Sequence, residues 1–144
     1  MSLYLDSAYI AKCYLNEPDA ERVRALVRDQ NGLASSAWCR AELACVFRRH
    51  VREGSLKAAQ ARALHAMFLE DVGAGAWNLL PVTSELLEGL ESKLSKLRKR
   101  DLFLRAGDAV HLVTAAEAGF REVWTNDRHM LSAARSFGLK GRSV

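Results

Sequence analysis

Short apolar runs alternate along the chain with longer stretches in which apolar residues return every three or four positions. That alternation predicts an α/β domain, a mainly parallel sheet flanked by helices. The first run is Leu3-Tyr4-Leu5, closed by Asp6; Ser7 opens a short helix through Ile10 and Leu15, and a second helix follows Pro18. Gly32 to Ser35 reads as the next strand, and Ser36 is placed to cap a helix carrying Trp38, Leu43, Val46 and Phe47. After the Gly54-Ser55 break comes a helix with Leu56, Ala59, Ala63, Leu64, Met67, Phe68 and Val72 on one stripe. Trp77 to Val82 is a third strand, and Thr83-Ser84-Glu85 begins a helix expected to reach Arg100. Gly107 to Ala118 is helical and almost wholly apolar, ended by Gly119; Val123-Trp124-Thr125 is a fourth strand. Asp127 starts the last helix, and the tail beyond Gly138 is expected to add an edge strand.

No repeat or linker interrupts this series, so residues 1–144 are expected to form one domain. Hydrophobic residues at 49% and charged residues at 26% exclude a disordered chain, and only two prolines exclude a collagen-like one. No apolar run approaches the roughly 20 residues that cross a bilayer, and the start Met-Ser-Leu-Tyr-Leu-Asp lacks the pattern of a signal peptide. A cytoplasmic protein without membrane attachment is the expectation. A net charge of +4 is compatible with a nucleic-acid partner and too ordinary to argue for one. Cys13, Cys39 and Cys45 are odd in number and lack metal-ligand spacing, which favours reduced, buried thiols.

The acids change the picture. Asp6 and Asp127 each follow a strand, and the carboxyl ends of strands in an open parallel sheet gather along one ligand-binding edge. Taken singly, each is explained as a helix N-cap. Glu42 shares the stripe of Trp38, Cys45 and Val46 that should face the core, so it needs a partner, an arginine being the plain alternative. Asp108 opens a helix that looks buried over most of its circumference. The helix dipole favours an acid there by only about 0.3–1 kcal/mol, so something positive should sit beside it. Acids packed together raise one another's pKa unless a cation intervenes. An all-oxygen set favours Mg²⁺ or Mn²⁺ over zinc, and such a site suits phosphodiester hydrolysis.

The segments Tyr4-Leu5-Asp6-Ser7-Ala8, Arg40-Ala41-Glu42-Leu43, Arg105 through Ala115, and Thr125-Asn126-Asp127 resemble the PIN-domain ribonucleases, with the VapC toxins as the nearest subgroup. The resemblance spans nearly the whole chain in the right order. It implies a PIN-like three-layer sandwich, a short mainly parallel sheet between helices. It also implies an endoribonuclease dependent on Mg²⁺ or Mn²⁺, with Asp6, Glu42, Asp108 and Asp127 as the catalytic, metal-holding acids. Ser7 and Thr125 match supporting hydroxyl positions, and Asn126 receives no firm role. Metal-activated water would attack an RNA phosphodiester, leaving a 5′-phosphate and a 3′-hydroxyl. A structured substrate such as tRNA, a homodimer and a cognate antitoxin are further implications. The competing reading is a catalytically inactive PIN-like module that binds RNA or protein. A receiver domain or aspartyl phosphatase fits less well, because Ser7 and Ala8 follow Asp6 where those proteins need a second acid.

Other residues remain open. His111, one turn beyond Asp108, is read as packed and hydrogen-bonded, while His50, His65 and His129 are expected at the surface or as caps. Arg48, Arg49, Arg105 and Arg128 are candidate RNA contacts; Arg52 and the basic run Lys93, Lys96, Arg98, Lys99 and Arg100 compete with them. The Leu56–Val72 stripe serves either the core or a partner groove. Tyr4, Tyr9 and Tyr14 are too dispersed to stack bases.

Overall fold

The computed structural model describes residues 2–100 and 102–144. In chain order the elements are β1 (Leu3–Tyr4), α1 (Ser7–Tyr14), α2 (Ala20–Arg28), β2 (Leu33–Ser36), α3 (Cys39–Arg52), α4 (Ala58–Gly73), β3 (Trp77–Leu80), α5 (Ser84–Ser95), α6 (Ala106–Glu117), β4 (Glu122–Trp124), α7 (Arg128–Ala133) and β5 (Lys140–Arg142). A 3-10 turn, Ala134–Phe137, follows α7. Strands β3, β2 and β1 pair in parallel, as do β4 and β5. A parallel bridge between Leu5 and Trp124, with Asp6 N donating to Trp124 O at 3.1 Å, joins the two groups. The resulting strand order is 3-2-1-4-5, and its direction reverses between β1 and β4. In doubly wound sheets that reversal opens a crevice at the carboxyl ends of the strands.

Period-two alternation builds a core on each face of this sheet. Tyr4, Ala34, Leu80 and Val123 turn to one face, where α5, α6 and α7 supply Leu90, Leu112, Val113 and Met130. Leu5, Leu33, Leu79 and Trp124 turn to the other, where Ile10, Leu43, Phe47 and Phe68 come from α1, α3 and α4. The strands are short, but both faces are covered, as an all-parallel sheet requires. Among the described residues no helix is long and apolar enough to cross a membrane.

Several expectations needed revision. Helix α5 stops at Ser95 rather than Arg100. Beyond it Lys96, Arg98, Lys99 and Arg100 crowd like charges around one half-buried apolar residue, Leu97, a pattern that weakens a helix. Strand β3 stops at Leu80 because Pro81 has no N–H to continue the ladder. Only Cys39 is a buried thiol; Cys13 is partly buried, and Cys45 lies on the outer side of α3. The α4 stripe packs on its own core through Ala61, Leu64, Phe68 and Val72, leaving Ala59, Ala63 and Met67 exposed. His50, His65 and His129 are each half-buried: His50 meets Ser55 and Glu17, while His65 and His129 lie against Phe68 and Phe103.

Leu43 is fully buried where α3 meets the sheet, whereas Leu87 on α5 is 44% exposed. Leu43→Ala should therefore destabilise the fold by about 2–5 kcal/mol in urea unfolding. Leu87→Ala should change it by roughly 0.5 kcal/mol or less.

Candidate functional site

Asp6 follows β1 at the strand-order reversal and caps α1, its Oδ1 accepting from Tyr9 N at 2.9 Å. Its Oδ2 accepts a short hydrogen bond from the Thr125 hydroxyl. Thr125 Oγ1 in turn accepts from Asp127 N at 3.0 Å, so one buried hydroxyl ties the carboxylate after β1 to the loop after β4. Asp127 caps α7 through Oδ1, which accepts from His129 N at 2.8 Å and Met130 N at 3.0 Å. Both aspartates therefore do what the capping explanation expected. Capping uses only one oxygen of each; the other accepts from the Thr125 hydroxyl in Asp6 and from Arg105 in Asp127.

Asp108 lies in the first turn of α6, 8% exposed, and the positive partner it required is Arg105. Arg105 Nε donates to Asp108 Oδ2 at 3.1 Å, and Nη2 of the same guanidinium donates to Asp127 Oδ2 at 3.2 Å. One cation thus spans two of the four acids. The Arg105 side chain is 64% exposed, so solvent screens both contacts.

Glu42 is half-buried rather than enclosed in the core. Its Oε1 accepts from Ser7 Oγ at 2.8 Å and from His111 Nε2 at 2.7 Å. A carboxylate only accepts, so His111 carries its proton on Nε2. The Ser7 hydroxyl lies 3.0 Å from that nitrogen, and Nδ1 on the other side of the ring meets the Tyr4 hydroxyl at 3.0 Å. His111 is 2% exposed, so this chain of polar groups runs through the interior from β1 to α3 and α6. The structural reading of His111 holds. What the sequence did not disclose is that its imidazole braces Glu42 together with Ser7. Asn126 also gains a place, its Oδ1 accepting from Tyr9 OH at 2.6 Å.

These environments push two of the acids apart. Burial raises the Asp6 carboxyl above its ordinary value against the opposing pull of the Thr125 hydroxyl. Burial acts in the same sense on Glu42, but the hydrogen bond and charge of His111, with Ser7 and Arg105, outweigh it and lower that carboxyl. Among the described residues no three His, Cys, Asp or Glu side chains are drawn together as metal ligands. The donor chemistry nonetheless fits a hard cation: the free oxygens are all carboxylate, and a guanidinium already spans two of them.

Of the arginines considered, Arg105 is at the site and Arg49 lines the cavity that opens beside it. Arg48 and Arg128 are exposed and line no part of that cavity. In the basic run, Lys93 lies over the Phe137 ring at 5.3 Å. Lys12, Trp38 and Gly107 also border the site and were not singled out from sequence. The position of Trp38, one turn before Glu42, was the available signal.

The PIN domain family model matches residues 3–136. Ribonuclease VapC46 of Mycobacterium tuberculosis (strain ATCC 25618 / H37Rv) is 32% identical over 141 residues, covering 96% of this chain and 94% of that protein. The fold is similar to the crystal structure of VapBC2 from Rickettsia felis bound to a DNA fragment from their promoter. That match has a TM-score of 0.70 at 17% identity, over 99% of this chain and 98% of that one. It is also similar to the structure of FitAB bound to an IR36 DNA fragment, with a TM-score of 0.71 at 19% identity over 99% and 94% of the two chains.

The opposite displacements of Asp6 and Glu42 have opposite consequences for stability. A raised carboxyl stabilises the fold at low pH and loses that contribution as pH climbs through its range; a lowered one contributes above the unfolded value and is lost as pH falls. In EDTA at neutral pH, Asp6→Asn should raise the melting temperature by roughly a few degrees, and Glu42→Gln should lower it. The first difference should close on acidification below about pH 4 and the second only below the ordinary carboxylate range, because Glu42 is lowered, as thermal melts across pH would show.

Proposed function

This chain belongs to the PIN-domain family, in its VapC-type branch, and on that footing we propose that it is an endoribonuclease and the toxin of a toxin–antitoxin pair. The observation that carries the reading is the Arg105 guanidinium spanning Asp108 and Asp127 where the strand order reverses. Capping accounts for one oxygen of Asp6 and of Asp127 but not for the approach of Asp108 to Asp127, which the cation between them permits. Asp6, Glu42, Asp108 and Asp127 would hold Mg²⁺ or Mn²⁺. When bound, such an ion supplies Lewis acidity toward the scissile phosphate and toward the attacking water.

The remaining work falls to the chain's own residues. Thr125 holds Asp6 by one oxygen, and the Tyr9 N–H holds the other, so that carboxylate keeps one orientation. Ser7 and His111 do the same for Glu42. Preorganised donors of this kind cost no rearrangement during reaction. Arg105, mostly exposed, is placed to exchange carboxylates for a substrate phosphate, which its planar fork can bind through two nitrogens. Water attacking phosphorus opposite O3′ would break the P–O3′ bond, with O3′ leaving as the 3′-hydroxyl and the phosphate staying on the 5′ side. The relative at 32% identity is itself named a ribonuclease, which supports RNA as the substrate class; a structured RNA such as tRNA is the substrate proposed within it. A cognate antitoxin and a homodimer complete the proposal.

Asp108→Asn and Asp127→Asn should each reduce RNA cleavage by roughly a hundredfold or more, since even outer-shell changes at metal sites cost 10–100-fold. Mn²⁺ should raise the melting temperature of the wild type by linkage, and the two variants should lose most of that rise. Arg105→Ala should enlarge it, because the competing guanidinium is gone. Unchanged cleavage by the Asp variants would refute the assignment, and wild-type RNA binding without cleavage would give the chain to the inactive-module reading.

A further inference from the structure

Beside the acidic pocket stands an indole that none of these roles uses. Trp38 enters α3 one turn before Glu42, and 40% of its surface is open to solvent. With Ser7, Glu42 and Arg105 it lines a cavity of about 620 Å³ whose lining also carries Lys12 and Arg49. That volume lies within the roughly 300–1,000 Å³ of pockets that take small ligands. The other exposed large apolar side chains, Met67, Leu69, Leu87, Leu94 and Phe103, line no part of this cavity. Gly107 explains how the ring comes so close to the acids. A Cβ there would lie 3.0 Å from Trp38 Nε1 and 3.2 Å from Glu42 Oε2, so indole and carboxylate meet over a residue with no side chain.

The cavity asks for a ligand with two properties. Lys12, Arg49 and Arg105 face Glu17 and Glu42, and Glu17 is already engaged by Arg49 at 3.8 Å and His50 at 3.4 Å. Arg105 is held by Asp108 and Asp127, so among the described residues Lys12 is the one cation of this lining with no carboxylate partner. An entering phosphate can take Lys12 and draw the exposed Arg105 from its acids, and the open indole suits a planar ring. A nucleotide presents both, and any base can stack because every base has a π-face. An acidic peptide presents the charge without the ring.

We propose that Trp38 is the stacking platform for the base adjoining the scissile phosphate, an inference that rests on the ribonuclease reading above. The test is steady-state cleavage of an RNA oligonucleotide that the wild type cuts, alongside copies carrying an abasic site at each position in turn. Trp38→Ala should raise KM roughly tenfold, Trp38→Phe should recover most of the loss, and Leu87→Ala, equally exposed on α5, should leave KM unchanged. One abasic position should cost the wild type a similar factor and cost Trp38→Ala little more, the non-additivity of two groups in contact. The abasic series on the unmutated chain is informative even where the alanine variant folds poorly. Additive losses, or a KM indifferent to every abasic position, overturn the inference while leaving the ribonuclease reading intact. A Trp38→Ala chain that keeps its KM for RNA but loses its antitoxin gives the indole to a protein partner, and overturns it too. A wild type that cuts no RNA overturns both.

Discussion

The guanidinium of Arg105 reaches Asp108 at 3.1 Å and Asp127 at 3.2 Å, holding together the start of α6 and the start of α7. Carboxylates brought this close repel one another more strongly as water is excluded, and no amount of apolar packing removes that term. A cation is the physical condition for the cluster. Arg105 meets it in part and reversibly, because its side chain is largely exposed while Asp108 beneath it is buried. A smaller, harder cation can meet it more completely. The fold is thereby linked to whatever positive charge the solution or a substrate complex offers.

Around that cluster the chain uses single groups twice. Asp6 caps α1 with one oxygen and accepts from Thr125 with the other, and Asp127 caps α7 with one and accepts from Arg105 with the other. Thr125 donates to Asp6 while accepting from the backbone of Asp127, which makes the register of β4 against β1 a determinant of site geometry. His111 lies between Tyr4 on β1 and Glu42 on α3. Tyr4, Asp6, Thr125 and His111 are buried with hydrogen-bond partners, so their positions are set by the same contacts that hold the layers together. Stability and function are coupled here through shared atoms rather than through distance.

The close approach at Gly107 shows the same economy beside the acids. The side chains of Trp38, at the N-cap of α3, and of Glu42 lie against the backbone at the start of α6, and the missing side chain is what lets the indole N–H edge and an acid occupy adjoining space. The cations bordering this cleft come from α1, α3 and the entry to α6. A polyanion would reach the carboxylates only past that positive border.

Much of this was legible in the chain before it folded. The alternation of short apolar runs with helical stripes determined the element order, and the pairs Tyr4-Leu5 and Val123-Trp124 already divided the two faces of the sheet by their period of two. The acids were legible because each stands on an apolar stripe or just beyond a strand, where capping or an ion pair explains one taken singly but not the four together. Local pattern could not show which cation answers which acid, since Arg105 and Asp127 are 22 residues apart and meet only when α6 and α7 are laid on the same sheet face. It could not show the bracing of Glu42, because Ser7 and His111 lie 104 residues apart and a histidine's partners are set by packing. It also misjudged Cys45, the far end of α5 and the outer positions of the α4 stripe. Those outcomes depend on where one element ends and the next begins to cover it, and that is decided only when the layers close.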